Sequence, residues 1–283
     1  MAPRSHPTAR QVRLGTELRK LRESAGLKAR DAAALLNTTS GQMSHIEAGI
    51  AAVSAERIRA LAAHYSCTDD ALIGALVAMA GDRRRGWWDE YRERLSPVHL
   101  DVAEAEHHAT YLREIVTTYV PGLLQTPDYA RAVFQYMNPE LSEREWDLRV
   151  EHRLGRRAVI EGDEPTPYTT IVHEMALRIR VADRRVAREQ LRQILDLIEE
   201  GRVGVRIIPT DQDGFAGAGA SMLYLGGKVP QLDTGLRDAP TGVVFLDAEA
   251  QLTRLRTLLS RVEEASLDPQ TSRNVIHDMA REL

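Results

Sequence analysis

Between Leu35 and Gly49 the chain reads LLNTTSGQMSHIEAG, and this stretch constrains the fold more than any other. Thr38 and Thr39 offer a hydroxyl N-cap and Gly49 a stop, so the helix between them is short. Turning by about 100° per residue from Thr39 sends Met43 and Ile46 inward. Gly41, Ser44, His45 and Ala48 then face outward, with Ser40 and Gln42 on the flanks. The outward face carries short hydrogen-bonding side chains and neither lysine nor arginine. Gly41 lowers helix stability by about 1 kcal/mol relative to alanine, so something should compensate. Such a face suits a helix pressed against something flat and polar.

The segments around it are also short helices. RLGTELRKLRESA (13–25) sets Leu14, Leu18 and Leu21 at helical spacing and ends at Gly26. KARDAAALLN turns Ala32, Ala33 and Leu36 inward. Ser54 caps AERIRALAAHY, whose Ile58 and Leu61 face the core, and TDDALIGALVAMAGD is a fifth helix. The reading is a flexible basic arm over 1–11, an all-α helix-turn-helix domain over 12–80 and a junction helix over 81–97. Trp87, Trp88 and Tyr91 of that junction are expected to pack on the next domain.

From residue 98 the pattern changes to a larger mixed α/β domain ending at 283. An extended segment is expected from Leu112 to Tyr119. VPGLLQT then turns into a helix capped by Thr126 with Pro127 at its start. LSEREWDLRVEHRLGRRAVIEGD reads as one helix with a Ser142/Glu145 capping box. YTTIVHE, VGVRIIP, ASMLYLGG, VPQLDTG and TGVVFLD read as strands, rich in β-branched residues and punctuated by Gly and Pro. Two helices close the chain, one capped by Asp247, the other by Asp268 with Pro269 following.

A length of 283 residues allows two domains, and 28% charged residues is ordinary for a globular protein. The net charge of −4 is unevenly spread: residues 1–66 carry ten Lys or Arg against five Asp or Glu, and the rest balances at −9. A basic amino end on an acidic body fits a module that meets a polyanion. No apolar run approaches the length of a membrane helix, and MAPRSHPTAR is followed by no apolar stretch, so neither membrane nor secretion is expected. With one cysteine, Cys67, no internal disulfide forms, and the expected location is the cytoplasm, associated with the nucleoid.

Two helices joined by a tight polar turn, the second with a short polar face, form a helix-turn-helix, whose second helix enters the DNA major groove. Ser, Thr and Gln can read base edges, His45 can donate or accept, and Gly41 permits close approach. The stretch from LGTELRKLRESAG through SHIEAG to IRALAAHY, about residues 12–66, resembles the lambda-repressor-like, XRE-type helix-turn-helix domain. That resemblance implies base contacts by Thr39, Ser40, Gly41, Ser44 and His45, with Gln42 near the phosphates. Two departures weaken the phosphate grip. Ala29 stands where the family often has glutamine, and no Lys or Arg lies between Arg30 and Arg57. Arg10, Arg13, Lys28, Arg30 and Arg57 remain as phosphate contacts, and the arm reaches along the backbone or into the minor groove.

VPGLLQTPDYARAVF, HEMALRIRVADRRVAREQLRQILDLIEEGRVGVRIIP, GAGASMLYL and LDPQTSRNVIHDMAREL resemble the C-terminal domain of actinobacterial WhiJ-type regulators, over nearly all of 87–283. The likeness implies a developmental or antitoxin-like transcription regulator, encoded beside a small partner protein that this domain binds. It brings no catalytic residue. HEMAL has Leu177 where a zinc protease needs its second His. Glu104 and His108, with His99 or Asp101, read as a solvated face rather than a metal site. GFAGAGAS precedes a strand instead of opening a helix, so it reads as a loop over a pocket, not a phosphate cradle. GGK lacks a P-loop's surroundings, Ser221 sits in no nucleophile elbow, and Cys67 has no evident base. No enzyme, metal or cofactor is expected. The expected protein is a homodimeric regulator on an inverted-repeat duplex, controlled through its C-terminal domain by a small protein or ligand near VPGLLQT or the Gly-rich loop. The alternatives are an antitoxin-like interaction module and an enzyme with a DNA-binding appendage.

Overall fold

The computed structural model describes residues 7–82, 85–217, 219–239 and 242–283. The chain divides into two compact units, residues 1–92 with His99–Ala105, and Glu93–Val98 with residues 106–283.

The first unit is all helical: α1 (Ala9–Ser24), α2 (Ala29–Leu35), α3 (Ser40–Glu47), α4 (Ala55–His64) and α5 (Asp70–Gly81). Four of them begin at a capping side chain, and the N-cap of α2 is Lys28, whose N–H donates to Asp31 at 3.2 Å. Thr8 and Gln11 form a reciprocal capping box on α1, and Thr39, Ser54 and Asp69 accept from Gln42, Arg57 and Leu72 N–H. Asn37, at φ 50°, makes the left-handed turn after α2, where Thr38 N–H returns to Ala33 O at 2.9 Å. The core is Leu14, Leu18, Ala32, Ala33, Met43, Ile46, Ile58, Leu61, Leu72 and Leu76, while Leu21 and Leu36 are half-buried. Gly15 lets α1 approach α3: a Cβ there would lie 2.5 Å from the Glu47 carbonyl oxygen.

Two expectations for this part need correction. The arm does not extend to residue 11, because the Thr8 cap starts α1 at Ala9, whose N–H also donates to Asp101 (3.0 Å). Residues 1–6 of the arm lie outside the described residues. The single junction helix over 81–97 does not form. Gly81 ends α5, Trp87–Tyr91 is one 3-10 turn, and Pro97 opens a new helix. Trp87 packs edge-on against Trp88 and Tyr91, at 6.0 and 5.9 Å between ring centres.

The helix α6 (Pro97–His108) contributes to both units. After it come β1 (Tyr111–Val116), a 3-10 turn Gly122–Leu124, α7 (Pro127–Met137), α8 (Glu143–Gly155), α9 (Ala158–Glu161), β2 (Tyr168–His173), α10 (Glu174–Arg178), α11 (Arg184–Glu199) and β3 (Gly204–Ile208). Then follow β4 (Met222–Gly226), β5 (Thr234–Ala239), β6 (Gly242–Leu246), α12 (Glu249–Glu264) and α13 (Pro269–Glu282). The strands form one sheet in the order β3-β2-β1-β4-β5-β6, parallel over β1 to β3 and antiparallel from β1 through β4 and β5 to β6. On one face Ile115, Ile171, Ile208, Met222 and Tyr224 meet the α12 stripe Leu252, Leu255, Leu259 and Val262. The helical repeat of α11 likewise buries Val186, Leu191, Ile194 and Leu195.

The capping box of Ser142 and Glu145 and the Asp268 cap form as expected. Three local readings change. The N-cap of α12 is Ala248 rather than Asp247, and it makes no side-chain cap bond. The single helix expected from Leu141 onward is instead two, α8 ending at Gly155 and α9 beginning at Ala158. VPQLDTG is no strand up to Asp233: Pro230–Leu232 is a 3-10 turn, and the buried Asp233 carboxylate accepts from Tyr224 OH (2.7 Å) and Gly227 N–H (2.8 Å). The ladder starts only at Thr234.

Candidate nucleic-acid interface

The helix α3 presents the face that its periodicity requires. Met43 and Ile46 are 0% and 2% exposed, whereas Thr39, Ser40, Gly41, Ser44 and His45 are exposed and Gln42 is half-buried. Thr39 Oγ1 accepts from Gln42 N–H at 3.1 Å, which occupies an acceptor and leaves its O–H to donate outward. Ser44 Oγ donates to Ser40 O at 3.0 Å, so it offers lone pairs to a donor approaching the helix. Among the described residues, and apart from the helix's own backbone, a Cβ at Gly41 would meet only Thr39 Oγ1, at 3.9 Å. The surface there is low and open.

What holds α3 is a buried ion pair that periodicity implies but that the sequence analysis did not assign. Glu47 follows Met43 by four residues and shares its inner side. Arg22 Nε and Nη2 donate to its two carboxylate oxygens at 2.6 and 2.9 Å, and Arg22 Nη1 donates to Leu27 O at 2.7 Å. Hydrogen bonding to Glu47 raises the Arg22 pKa above its ordinary value. An acid on the apolar side of a short helix was the signal for this partner. The nearby Tyr65 hydroxyl is pushed up to about 12 by burial.

The cations proposed from sequence separate into two groups. Lys28, Arg30 and Arg57 are exposed, Arg30 resting beside Asp31 at 3.3 Å. Arg13 is buried, 7% exposed, and its Nε lies 3.1 Å from Glu17. Arg10 is half-buried, its pKa lowered by burial against the opposing pull of Glu104 and Asp82. Neither Arg13 nor Arg10 is placed as a surface cation, because each has turned toward acids of its own unit.

In the second unit VPGLLQT is an internal bracket. Gln125 Nε2 donates to Val120 O (2.7 Å) and its Oε1 accepts from Arg153 Nη1 (2.9 Å). Gln190 accepts from Thr126 N–H (2.8 Å) and donates to Leu124 O (2.7 Å). Beside it Arg156 grips the buried Glu106 with two bonds of 2.8 and 2.5 Å. Tyr168 OH donates to Glu114, whose carboxyl burial pushes up to about 7. Burial, then the neighbouring Arg156, pulls Arg153 down to about 10. Of the Gly-rich loop, residue 218 lies outside the described residues, and Phe215 stacks on His173 at 6.0 Å. No helix of the described residues is long and apolar enough to cross a membrane.

Residues 13–76 match a family described as a helix-turn-helix domain, the kind carried by DNA-binding regulators. Residues 100–278 match one described as a domain of unknown function, DUF5753. No curated protein and no solved structure matches the chain. With that second match spanning more than half its length, the chain belongs to the DUF5753 family and carries a helix-turn-helix domain at its amino end.

Proposed function

We propose that the protein is a sequence-specific, homodimeric DNA-binding transcription regulator that lays two copies of α3 in successive major grooves of an inverted repeat. Thr39, Ser40, Gly41, Ser44 and His45 touch base edges, and Lys28, Arg30, Gln42 and Arg57 hold phosphates. The observation that carries this reading is the exposed, uncharged face of α3, fixed from behind by Met43, Ile46 and the Arg22–Glu47 pair. Control passes through the second unit, by a small partner protein or a ligand. A surface hollow of about 400 Å³, lined by Arg188, Arg192, His277 and Arg281 together with the acids Asp196 and Glu199, offers a place for a polar ligand. The likeness to WhiJ-type regulators supports the partner protein. Such control requires that the bound molecule discriminate DNA-competent from incompetent states.

Selection from a random duplex library tests the reading. The wild-type chain is expected to enrich an inverted repeat with half-sites about one helical turn apart. Ser44→Ala with His45→Ala should weaken the selected site by about tenfold or more while sparing random duplex. Equal losses on both duplexes would remove the base-reading assignment, and a library that yields no preferred sequence would remove the regulator.

A further inference from the structure

The two edges of the sheet are finished differently. On β3, Ile207 turns its backbone away from β2, and both groups are taken. Its N–H donates to Ser272 Oγ at 2.9 Å, and its carbonyl accepts from Leu267 N–H at 2.8 Å. Arg206 Nε adds a bond to Ser266 Oγ at 2.8 Å. The segment entering α13 therefore covers this edge, as exposed strand edges require.

The β6 edge has no such cover among the described residues. Asp238 N–H donates to Ser221 O at 3.2 Å, in register with the β4–β5 ladder, so alternate residues Gly235, Arg237 and Ala239 bond toward β6. Their partners are Leu246, Val244 and Gly242. Val243 and Phe245 consequently turn their N–H and C=O groups outward, and no other described segment bonds them. The strand reads GVVFL, without the charge, proline or bulge that blunts an open edge. Val244 remains 45% exposed.

We propose that β6 is the dimer contact, pairing antiparallel with β6 of a second copy about a two-fold axis at Val244. This rests on the reading of the chain as a homodimeric regulator and names its surface. The occupant follows from the strand's own pattern. An axis at Val244 sets Val243 opposite Phe245 of the second copy, and the reverse, so the outward donors and acceptors meet as two bonded pairs. Val244 then faces its own equivalent in the narrow pair, with Cα atoms about 4.5 Å apart. Two uncharged strands meet without repulsion, whereas an acidic or basic peptide would find no opposite charge on GVVFL. A five-residue strand covers less than the ~1,000 Å² typical of stable interfaces, so the contact taken alone is a weak one. A two-site operator strengthens it by holding both copies together.

Sedimentation of the full chain across the micromolar range, with and without Val244→Lys, tests the contact. The wild type is expected to dimerise with concentration, and Val244→Lys to remain monomeric yet folded, with a slightly lower melting temperature because the lysine also faces Arg237 of its own β5. In a Cys67→Ser background, Val244→Cys should cross-link into a covalent dimer on mild oxidation, since the narrow pair matches disulfide spacing. A Val244→Lys chain that still dimerises, or a dimeric Val244→Cys chain that does not cross-link, overturns the β6 contact and leaves the regulator standing. A wild-type monomer throughout overturns both the contact and the dimer. A dimer that Val244→Lys breaks, yet that prefers no DNA sequence, supports the contact and overturns the regulator alone.

Discussion

Glu47 lies on the buried side of α3, and both its oxygens are bonded to Arg22. Truncating it removes two charge-assisted bonds from a guanidinium left with Leu27 O and Glu23, and breaking a buried pair in this way costs roughly 3 kcal/mol. Glu47→Ala is therefore expected to lower the urea midpoint of the helical unit sharply, and Glu47→Gln, which keeps one acceptor, to lower it less. An unchanged midpoint for Glu47→Ala would show that the pair contributes nothing. Glu114 gives the opposite sign. Folding raises its pKa from 4.5 to about 7, mainly by burial, so the folded chain holds that proton more tightly. The resulting stabilisation is full below about pH 4.5 and is lost as pH rises through about 7. Glu114→Gln keeps an acceptor for Tyr168 and removes the titration. It should match the wild type near pH 4.5 and exceed it by on the order of 2 kcal/mol at pH 8, measured by urea unfolding. Equal pH dependence in the two proteins would contradict that assignment.

At the level of elements, α3 separates stability from function. Gly41 is exposed in a helix with room for a methyl group, so Gly41→Ala should stabilise the unit by about 1 kcal/mol. If the backbone at Gly41 approaches DNA closely, the same change weakens specific binding. A melting curve and a binding isotherm on the selected site read the two effects separately, and tighter binding with higher stability would sink the close-approach role. Caps and periodicity made these helices legible, because Thr39, Ser54 and Asp268 act on their own N–H groups within three residues. Strand limits were less so. Pro230 and Asp233 fold a segment that composition alone reads as extended, and the partner that decides this, Tyr224, lies across the turn.

For the whole molecule, charge counts by sequence overstate the grip on DNA. The amino-terminal excess of +5 includes Arg10, Arg13 and Arg22, each of which the fold sets against acids. Arg57→Ala should lower the salt dependence of binding by about one unit of slope, without loss of stability. Arg13→Ala should lower stability and leave the slope in place. Equal slopes for wild type and Arg57→Ala would remove Arg57 from the phosphate contacts, and a reduced slope for Arg13→Ala would return Arg13 to them. The sequence by itself determined the helical unit, its successor sheet domain and the outward face of α3, since these follow from periods of 3.6 and 2 and from caps that act locally. Only the tertiary structure decided which arginines stay at the surface, which acid anchors α3 and which sheet edge is left open. Those outcomes depend on partners far apart in the chain, and no local pattern carries the distance between them.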